Sequence, residues 1–157
     1  MTGHKKDAFT FTIDERDQGS WWINFLFAIV DKKATPIPFI TRRVFENGSD
    51  FETAVKMFSS TDLIAPAYFI LGGVKPFEGA VITRSQNTAI DIWRLNATSK
   101  GIESWYLLET NYDHWLPPPD SDDRRTPGMK AMNATGQVNL NPTTLLNVLS
   151  IDPVCNK

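Results

Sequence analysis

The sequence predicts an α+β fold in which helices gather over one face of a largely antiparallel sheet. Apolar and polar residues alternate over residues 8–15, as in a strand with one buried face. Phe51, Ala54, Val55 and Phe58 recur at helical spacing. Short apolar runs then follow one another across polar or glycine-containing connections. Such connections favour antiparallel neighbours over parallel strands joined by crossover helices.

The first half of the chain predicts one strand followed by three helices. The strand covers residues 8–15, and the helices cover about 21–30, 38–45 and 51–58. A turn at 17–20 supplies an N-cap for the first helix, and Pro38 starts the second. Ser49 or Asp50 caps the third helix.

The second half predicts more strands and then two further helices. The strands cover 67–71, 79–83, 89–95 and 105–109; one helix follows Asp123 through Met129 and Met132, and the last covers 142–149. The sequence shows no internal repeat and no low-complexity segment.

Composition predicts one globular domain and argues against several functions. A chain of 157 residues with 41% hydrophobic and 22% charged residues has enough apolar surface for a single core. A net charge of −2 provides no basic field for nucleic acid. No apolar run approaches the ~20 residues that span a bilayer. No apolar segment follows the basic residues Lys5 and Lys6, so we expect no signal peptide in this chain.

Cysteine count and sequons leave the compartment open. The single cysteine, Cys155, rules out an internal disulfide and fits a cytosolic protein as well as any other. Three sequons, at Asn47, Asn96 and Asn133, predict glycosylation of exposed segments in a secretory protein. Three is only a mild excess over the number that chance supplies at this composition.

Residues 109–126 contain the highest density of ionisable side chains in the sequence, with carboxylates, a histidine and two arginines around three prolines. Residues 122–125 fit a solvated turn and helix start as well as they fit a functional cluster. His114 and Trp115 are each more often structural than catalytic in such a setting. Asn111 differs, because a neutral amide can hydrogen-bond a developing oxyanion without titrating.

Six stretches resemble one family over nearly the whole chain. They are FTIDERDQGSWW at 11–22, APAYFILGG at 65–73, EGAVITR at 78–84, ETNYDHW at 109–115, DDRRT at 122–126 and NATGQ at 133–137. Together they resemble the β-subunit of N-acylethanolamine-hydrolysing acid amidase and of its relative, acid ceramidase. The first and fourth stretches are closer to the amidase, whereas the second and fifth are closer to the ceramidase.

This resemblance implies an N-terminal nucleophile hydrolase with a four-layer αββα fold. Such an enzyme is made as a lysosomal precursor that cleaves itself to expose a catalytic cysteine. The cysteine thiolate forms an acyl-enzyme from a fatty acyl amide while hydrogen-bond donors stabilise the oxyanion. Asn111 matches the family's asparagine near that oxyanion, Arg124 matches an arginine that supports the site, and Glu15 matches a glutamate of the same site.

The resemblance also implies a set of partners. They are the fatty acyl amide substrate and the α-subunit of the same precursor; no nucleic acid is expected, and contact with membrane lipid is left open. Neither a cofactor nor a metal ion is implied. An acyl groove could draw on Trp21, Trp22, Phe25, Phe27, Phe69 or Trp93, each of which is more often part of a core.

The sequence departs from the family at the nucleophile. It contains neither a cysteine that opens an upstream strand nor the Arg-Asn-Met-Asp type motif that follows it. Cys155 lies far toward the C-terminus and is predicted to be a small buried apolar residue. Thr2 would need an apolar strand to hold it, and residues 3–6 offer none.

We therefore expect residues 1–157 to be one incomplete amidohydrolase domain, the C-terminal portion of the catalytic β-subunit without the family's last strands. Two functional hypotheses follow from this expectation. In the first, the chain is a fragment of a lysosomal acid amidase or ceramidase and is inactive alone. In the second, it is a non-catalytic pseudoenzyme or a fragment that associates with another chain.

Overall fold

The computed structural model describes residues 1–16, 34–95 and 105–155. The chain divides into two compact units, Met1–Leu107 and Leu108–Lys157. The first unit contains the sheet, and the second contains the polar segment that the sequence singles out. The predicted helix over 21–30 lies outside the described residues.

The described part of the first unit forms a five-stranded sheet in the order β1-β2-β3-β4-β5, and every neighbouring pair is antiparallel. The strands are β1 Thr2–Lys5, β2 Phe9–Glu15, β3 Ala67–Gly73, β4 Gly79–Arg84 and β5 Ala89–Arg94. The α+β prediction with a largely antiparallel sheet is confirmed. Four of these strands fall where the alternation and the short connections place them.

Strand β1 is an element that the sequence does not predict, although it is not the apolar strand that Thr2 would need. The strand is a polar edge, so it lacks the apolar alternation that marks β2. Gly3 allows the Phe45 ring to lie against it, since a Cβ at Gly3 would come within 2.2 Å of that ring. Lys5 Nζ donates to the carbonyls of Phe45 and Gly48, at 2.8 and 2.7 Å. The strand is thus held by its pairing with β2 and by contacts with the end of a helix.

Within the described residues between β2 and β3, α1 Ile37–Asn47 and α2 Phe51–Ser60 confirm the predicted helices over 38–45 and 51–58. A proline in the first turn fits the start of α1, where its missing N–H costs no helical hydrogen bond. Asp50 is the N-cap of α2, and its carboxylate accepts a hydrogen bond of 2.8 Å from the backbone N–H of Thr53.

The core lies between these helices and one face of the sheet. Phe58 of α2 is fully buried, with its ring stacked on Phe69 at 4.4 Å between centroids and tilted against Phe11 at 5.4 Å. The residues that alternate with the core face include Tyr68 and Val81, which are also fully buried. Strands β3 and β4 are therefore apolar on both faces, as central strands of a layered fold are.

Arg84 is a fully buried cation at the end of β4. Its guanidinium donates to the carbonyl of Phe58 and, at 2.6 Å, to that of Thr61, where α2 ends. Burial lowers the pKa of Arg84, and the carbonyl oxygens at the negative end of the helix dipole offset the cost of holding the charge there.

The second unit contains α3 Arg125–Thr135, a short 3₁₀ turn Gln137–Asn139 and α4 Pro142–Leu149. Helix α3 ends at Gly136, whose φ of 72° is in the left-handed region that glycine adopts without strain. Helix α4 begins with a capping box in which the Asn141 side chain accepts from the backbone of Thr144 and the Thr144 hydroxyl accepts in return. Both predicted helices of this region are confirmed.

The predicted strand over 105–109 is wrong. These residues form bends and irregular backbone, and no strand in the described part of the chain pairs with them. The rings of Trp105 and Tyr106 lie 4.9 Å apart at 71°. Consecutive side chains of a strand point to opposite faces, so neighbouring rings in edge contact require a bent backbone.

Candidate functional site

The candidate site is built from the irregular segment between Leu108 and the start of α3, all of it within the second unit. Asn111 has a φ of 49°, in the left-handed region that asparagine tolerates better than most residues. The backbone therefore changes direction at Asn111. A residue held in this conformation, with its side chain half-buried, indicates a position fixed by its surroundings.

Arg124 joins Asn111 to an acidic residue. Its Nε lies 2.9 Å from Asp122 Oδ1 and its Nη2 lies 2.6 Å from Asp122 Oδ2, which is a bidentate ion pair. The same Nη2 donates to Asn111 Oδ1 and, at 3.4 Å, to the carbonyl of Thr110. The Arg124 side chain is only 19% exposed, whereas that of Asp122 is 40% exposed, so the ion pair lies at the edge of the solvent and the contact with Asn111 lies further inside. Asp122, Arg124 and Asn111 thus form one continuous polar network.

This network fixes the orientation of the Asn111 carboxamide. A guanidinium has donors and no acceptor, so it can face only the oxygen of the amide. The Nδ2 group, with its two N–H donors, must then point away from Arg124. A neutral donor pair held in place by a cation is well suited to stabilise negative charge that develops on a carbonyl oxygen.

The four residues 122–125 divide between the two interpretations that the sequence leaves open. Asp123 marks a helix start, because its Oδ1 accepts a 2.9 Å hydrogen bond from the backbone N–H of Thr126 in the first turn of α3. Hydrogen bonds from the side chain and then the backbone of Thr126 lower the pKa of Asp123. Asp122 and Arg124 instead belong to the network around Asn111.

Arg125 is the residue that sequence reasoning misses. It is buried at the first position of α3, and its guanidinium donates to four main-chain carbonyls, those of Tyr112, Asp113, His114 and Leu116. Carbonyl partners exist at every residue and leave no mark in the sequence. The only signal is an arginine paired with another arginine beside an aromatic-rich segment, and that signal does not tell the two arginines apart.

Glu15 lies at the end of β2 in the first unit, paired in the ladder with Ala67, and its side chain is exposed. Asn111 and Arg124 are brought together by the structure within the second unit. The convergence of Glu15 with them stays a prediction.

Two of the three predicted glycosylation sites fall on described residues. Asn47 ends α1 and Asn133 lies in α3, and both side chains are exposed. Asn96 lies outside the described residues. Cys155, predicted to be buried, is exposed, because it follows a turn beyond α4 instead of packing under a strand or helix.

Metal-binding and membrane-spanning features are described for the ranges 1–16, 34–95 and 105–155. Within them, no cluster of three or more His, Cys, Asp or Glu side chains is arranged to hold a metal ion. No helix within them is long and apolar enough to cross a membrane.

Structural comparison defines the class of protein. The chain matches the solved structure of a Caenorhabditis elegans N-acylethanolamine-hydrolyzing acid amidase ortholog with a TM-score of 0.82 and 33% sequence identity. The match covers 99% of this chain and 64% of that one. The chain therefore has the fold of the N-terminal nucleophile hydrolases, as an antiparallel sheet with helices packed on it.

Sequence comparison defines the family. The chain is 48% identical over 155 residues to N-acylethanolamine-hydrolyzing acid amidase of Oryctolagus cuniculus, covering 99% of this chain and 42% of that protein. It is 41% identical over 159 residues to acid ceramidase of Homo sapiens, covering 100% of this chain and 40% of that protein. No family model matches it. The chain belongs to the family of N-acylethanolamine-hydrolyzing acid amidase and acid ceramidase, and spans about two-fifths of these relatives' length.

Proposed function

We propose that this chain is the part of a fatty acyl amide hydrolase that stabilises the oxyanion of the reaction. The observation that carries the proposal is the Asn111 carboxamide, whose oxygen is held by Arg124 and whose N–H donors are thereby directed away from it. An N-acylethanolamine is the favoured substrate, because identity to the rabbit amidase is 48% whereas identity to human ceramidase is 41%. The products are a free fatty acid and an amine.

The chemistry needs a nucleophile from outside these residues. A cysteine thiolate attacks the amide carbonyl, the oxyanion forms, and collapse releases the amine and leaves an acyl-enzyme that water then hydrolyses. Asn111 Nδ2 donates to the oxyanion, and Arg124 holds the amide and adds a nearby positive charge. Glu15 is proposed to complete the same site. A structure of the complete enzyme with Glu15 and Asn111 on opposite faces of the sheet would contradict that role.

The proposal also covers the compartment, the partner subunit and the glycosylation of the enzyme. It acts in the lysosome, associated with the α-subunit of its own precursor, and carries glycans on Asn47, Asn96 and Asn133. The exposed side chains of Asn47 and Asn133 support glycosylation at these two positions. The competing function is a non-catalytic, associating fragment, which recovery of a stable, soluble chain of 157 residues without amidase activity in any complex would favour.

The test is amide hydrolysis with and without the missing nucleophile. We expect purified 1–157 to release no fatty acid from an N-acylethanolamine or a ceramide at acid pH, because oxyanion donors alone cannot form an acyl-enzyme. Co-expression with the preceding part of the rabbit amidase should restore release, and the same partner with its catalytic cysteine replaced by alanine is the control.

Three outcomes would count against parts of this proposal. Release by 1–157 alone that survives Cys155→Ala would show another nucleophile within the chain. Release that Cys155→Ala abolishes would make Cys155 the nucleophile. Stable association with the rabbit segment but no release would favour the non-catalytic function.

A further inference from the structure

The guanidinium of Arg125 lies at the centre of the segment that follows Asn111. Nη1 donates to the carbonyl of Leu116 at 2.7 Å and to that of His114 at 3.3 Å. Nη2 donates to the carbonyls of Tyr112 and Asp113 at 2.9 and 3.0 Å. The backbone from 112 to 116 therefore wraps around one buried cation.

Tyr112 makes two further contacts with Arg125, one through its ring and one through its hydroxyl. Its ring lies 4.4 Å from the guanidinium carbon, within the range of a cation–π contact. Its hydroxyl also accepts a hydrogen bond of 3.0 Å from the backbone N–H of Arg125, a group at the start of α3 that has no partner within its helix. The Arg125 side chain thus binds the main chain of Tyr112, and the Tyr112 side chain binds the main chain of Arg125. These contacts hold the segment against the start of α3.

Only an arginine has the shape to make these contacts. Four carbonyl oxygens accept from the two terminal nitrogens of this one side chain, and a guanidinium offers its donors in a planar fork. A lysine ammonium has three donors and cannot serve four acceptors at once. Without the cation these inward-facing carbonyls would lose their hydrogen bonds, which favours a different backbone path.

The adjacency of the two arginines links this segment to Asn111. Arg124 and Arg125 are neighbours at the start of α3, and Asn111 and Tyr112 are neighbours in the segment. Arg125 binds Tyr112 while Arg124 binds Asn111, so the same two pieces of backbone are joined twice. Asn111 also has a left-handed backbone, a conformation that persists only where the surroundings determine it.

We propose that Arg125 is a positioning residue that sets the direction of the Asn111 carboxamide by holding residues 112–116 around its guanidinium. Its catalytic meaning rests on the proposed function. The structural part does not, because the effect of Arg125 on the orientation of the Asn111 carboxamide can be measured without any catalytic activity.

The test uses the chain 1–157 labelled with ¹⁵N-asparagine, in which the Asn111 carboxamide signal is assigned by its loss in Asn111→Ala. Arg125→Ala removes the cation and leaves a cavity lined by carbonyls and the Tyr112 ring. We expect the Asn111 signal to move toward the value of a free asparagine side chain. Millimolar guanidinium, far below denaturing concentrations, should restore the original signal, because it refills the cavity with the missing group.

Two comparisons separate positioning from general destabilisation. Arg43→Ala removes an exposed arginine of α1 and should leave the Asn111 signal unchanged with or without guanidinium. Methylammonium, a cation without the planar fork, should fail to rescue Arg125→Ala. If Arg125→Ala does not fold, Arg125→Lys provides the second test: it should displace the Asn111 signal while keeping a cooperative melt.

The proposal is overturned if the Asn111 signal is unchanged in Arg125→Ala or in Arg125→Lys, or if guanidinium does not restore it in a folded Arg125→Ala chain. Activity of the complex with the rabbit segment gives a separate measurement. There Arg125→Ala should lower kcat with little change in KM, and guanidinium should recover part of kcat. Failure of the unaltered complex to hydrolyse amides would refute the proposed function and leave the spectroscopic result to decide the role of Arg125.

Discussion

The sheet of the first unit and the segment around Asn111 in the second are held together by different forces. The sheet is held by a continuous apolar core, in which Phe11, Phe58 and Phe69 pack ring to ring. The Asn111 segment has no regular secondary structure between residues 108 and 124, and its shape follows from hydrogen bonds made by Arg124 and Arg125. Stability therefore resides mainly in the first region and chemical specificity in the second.

The two regions should therefore respond differently to substitution. Burial of apolar surface has no direction, so a core tolerates changes that keep its volume. Hydrogen bonds are directional, so a site held by them responds to the loss of one donor even when the fold survives. Substitutions in the two regions should accordingly change different measured quantities.

The largest effect is expected in the core of the sheet. Phe58→Ala removes a fully buried ring stacked on Phe69 and should lower the free energy of unfolding by about 3–5 kcal/mol. For a chain of this size such a loss lowers the melting temperature by roughly 6–20 °C. Phe39→Ala is the matched control, because Phe39 on α1 is 66% exposed and should change the melt little. Equal melts for the two variants would mean that this core does not carry the stability assigned to it.

The next effect belongs to the Asn111 segment and is measured in the complex that carries the nucleophile. Asn111→Ala should lower turnover by about 10²–10³-fold with little change in substrate affinity, since the lost donor acts mainly in the transition state. Asn111→Asp should be at least as damaging despite its similar size, because a carboxylate repels an oxyanion. Asn111→Asp should melt close to the parent chain, and Asn111→Ala should melt slightly lower, because alanine tolerates the left-handed backbone less well than asparagine or aspartate.

Near-normal turnover in Asn111→Asp would contradict the oxyanion role and make Asn111 a structural turn former. A large loss of thermal stability in either variant would erase the contrast between the two regions. The measurements are initial rates over a range of substrate concentrations and a thermal melt of each variant.

The two regions also differ in how far the sequence predicts them. The alternation in β2 and the helical spacing of Phe51 and Phe58 predict their elements because the apolar partners are themselves visible in the sequence. Strand β1 is missed because it is a polar edge strand without apolar alternation, and because Lys5 holds it through the carbonyls of Phe45 and Gly48. The role of Arg125 is missed because its partners are carbonyls as well. Carbonyl oxygens belong to every residue, so no pattern of side chains records which ones a cation will bind.

The family resemblance supplies what pattern alone does not. It places Asn111 and Arg124 in one site, and the structure brings these two together through a hydrogen bond. Periodicity fails at 105–109, where an apolar run with strand propensity bends instead. A strand needs a neighbour to pair with its backbone, and the presence of that neighbour is not a property of the run itself.

The smallest effect compares two helix starts, one in each region. Asp50 and Asp123 each accept a hydrogen bond from the backbone N–H three residues later, that of Thr53 and that of Thr126. Hydrogen bonding lowers the pKa of both carboxyls, in Asp50 chiefly through the backbone of Thr53 and in Asp123 chiefly through the side chain of Thr126. A pKa lowered in the folded state means that the stabilisation is present above the unfolded value of about 3.9 and is lost as pH falls through the folded pKa.

Substitution by asparagine keeps the capping geometry and removes only the charge. The difference in melting temperature between the parent chain and Asp50→Asn should therefore stay constant from about pH 7 to about pH 5 and shrink below about pH 4. Asp123→Asn should follow the same course, because the interaction depends on a helix start and not on the type of region that contains it. Thermal melts of the three chains across this range provide the measurement. A difference for Asp123→Asn that changes between about pH 7 and pH 5 would mean that its carboxylate is coupled to a further ionisable group, and would tie this helix start to the Asn111 segment instead of to the helix alone.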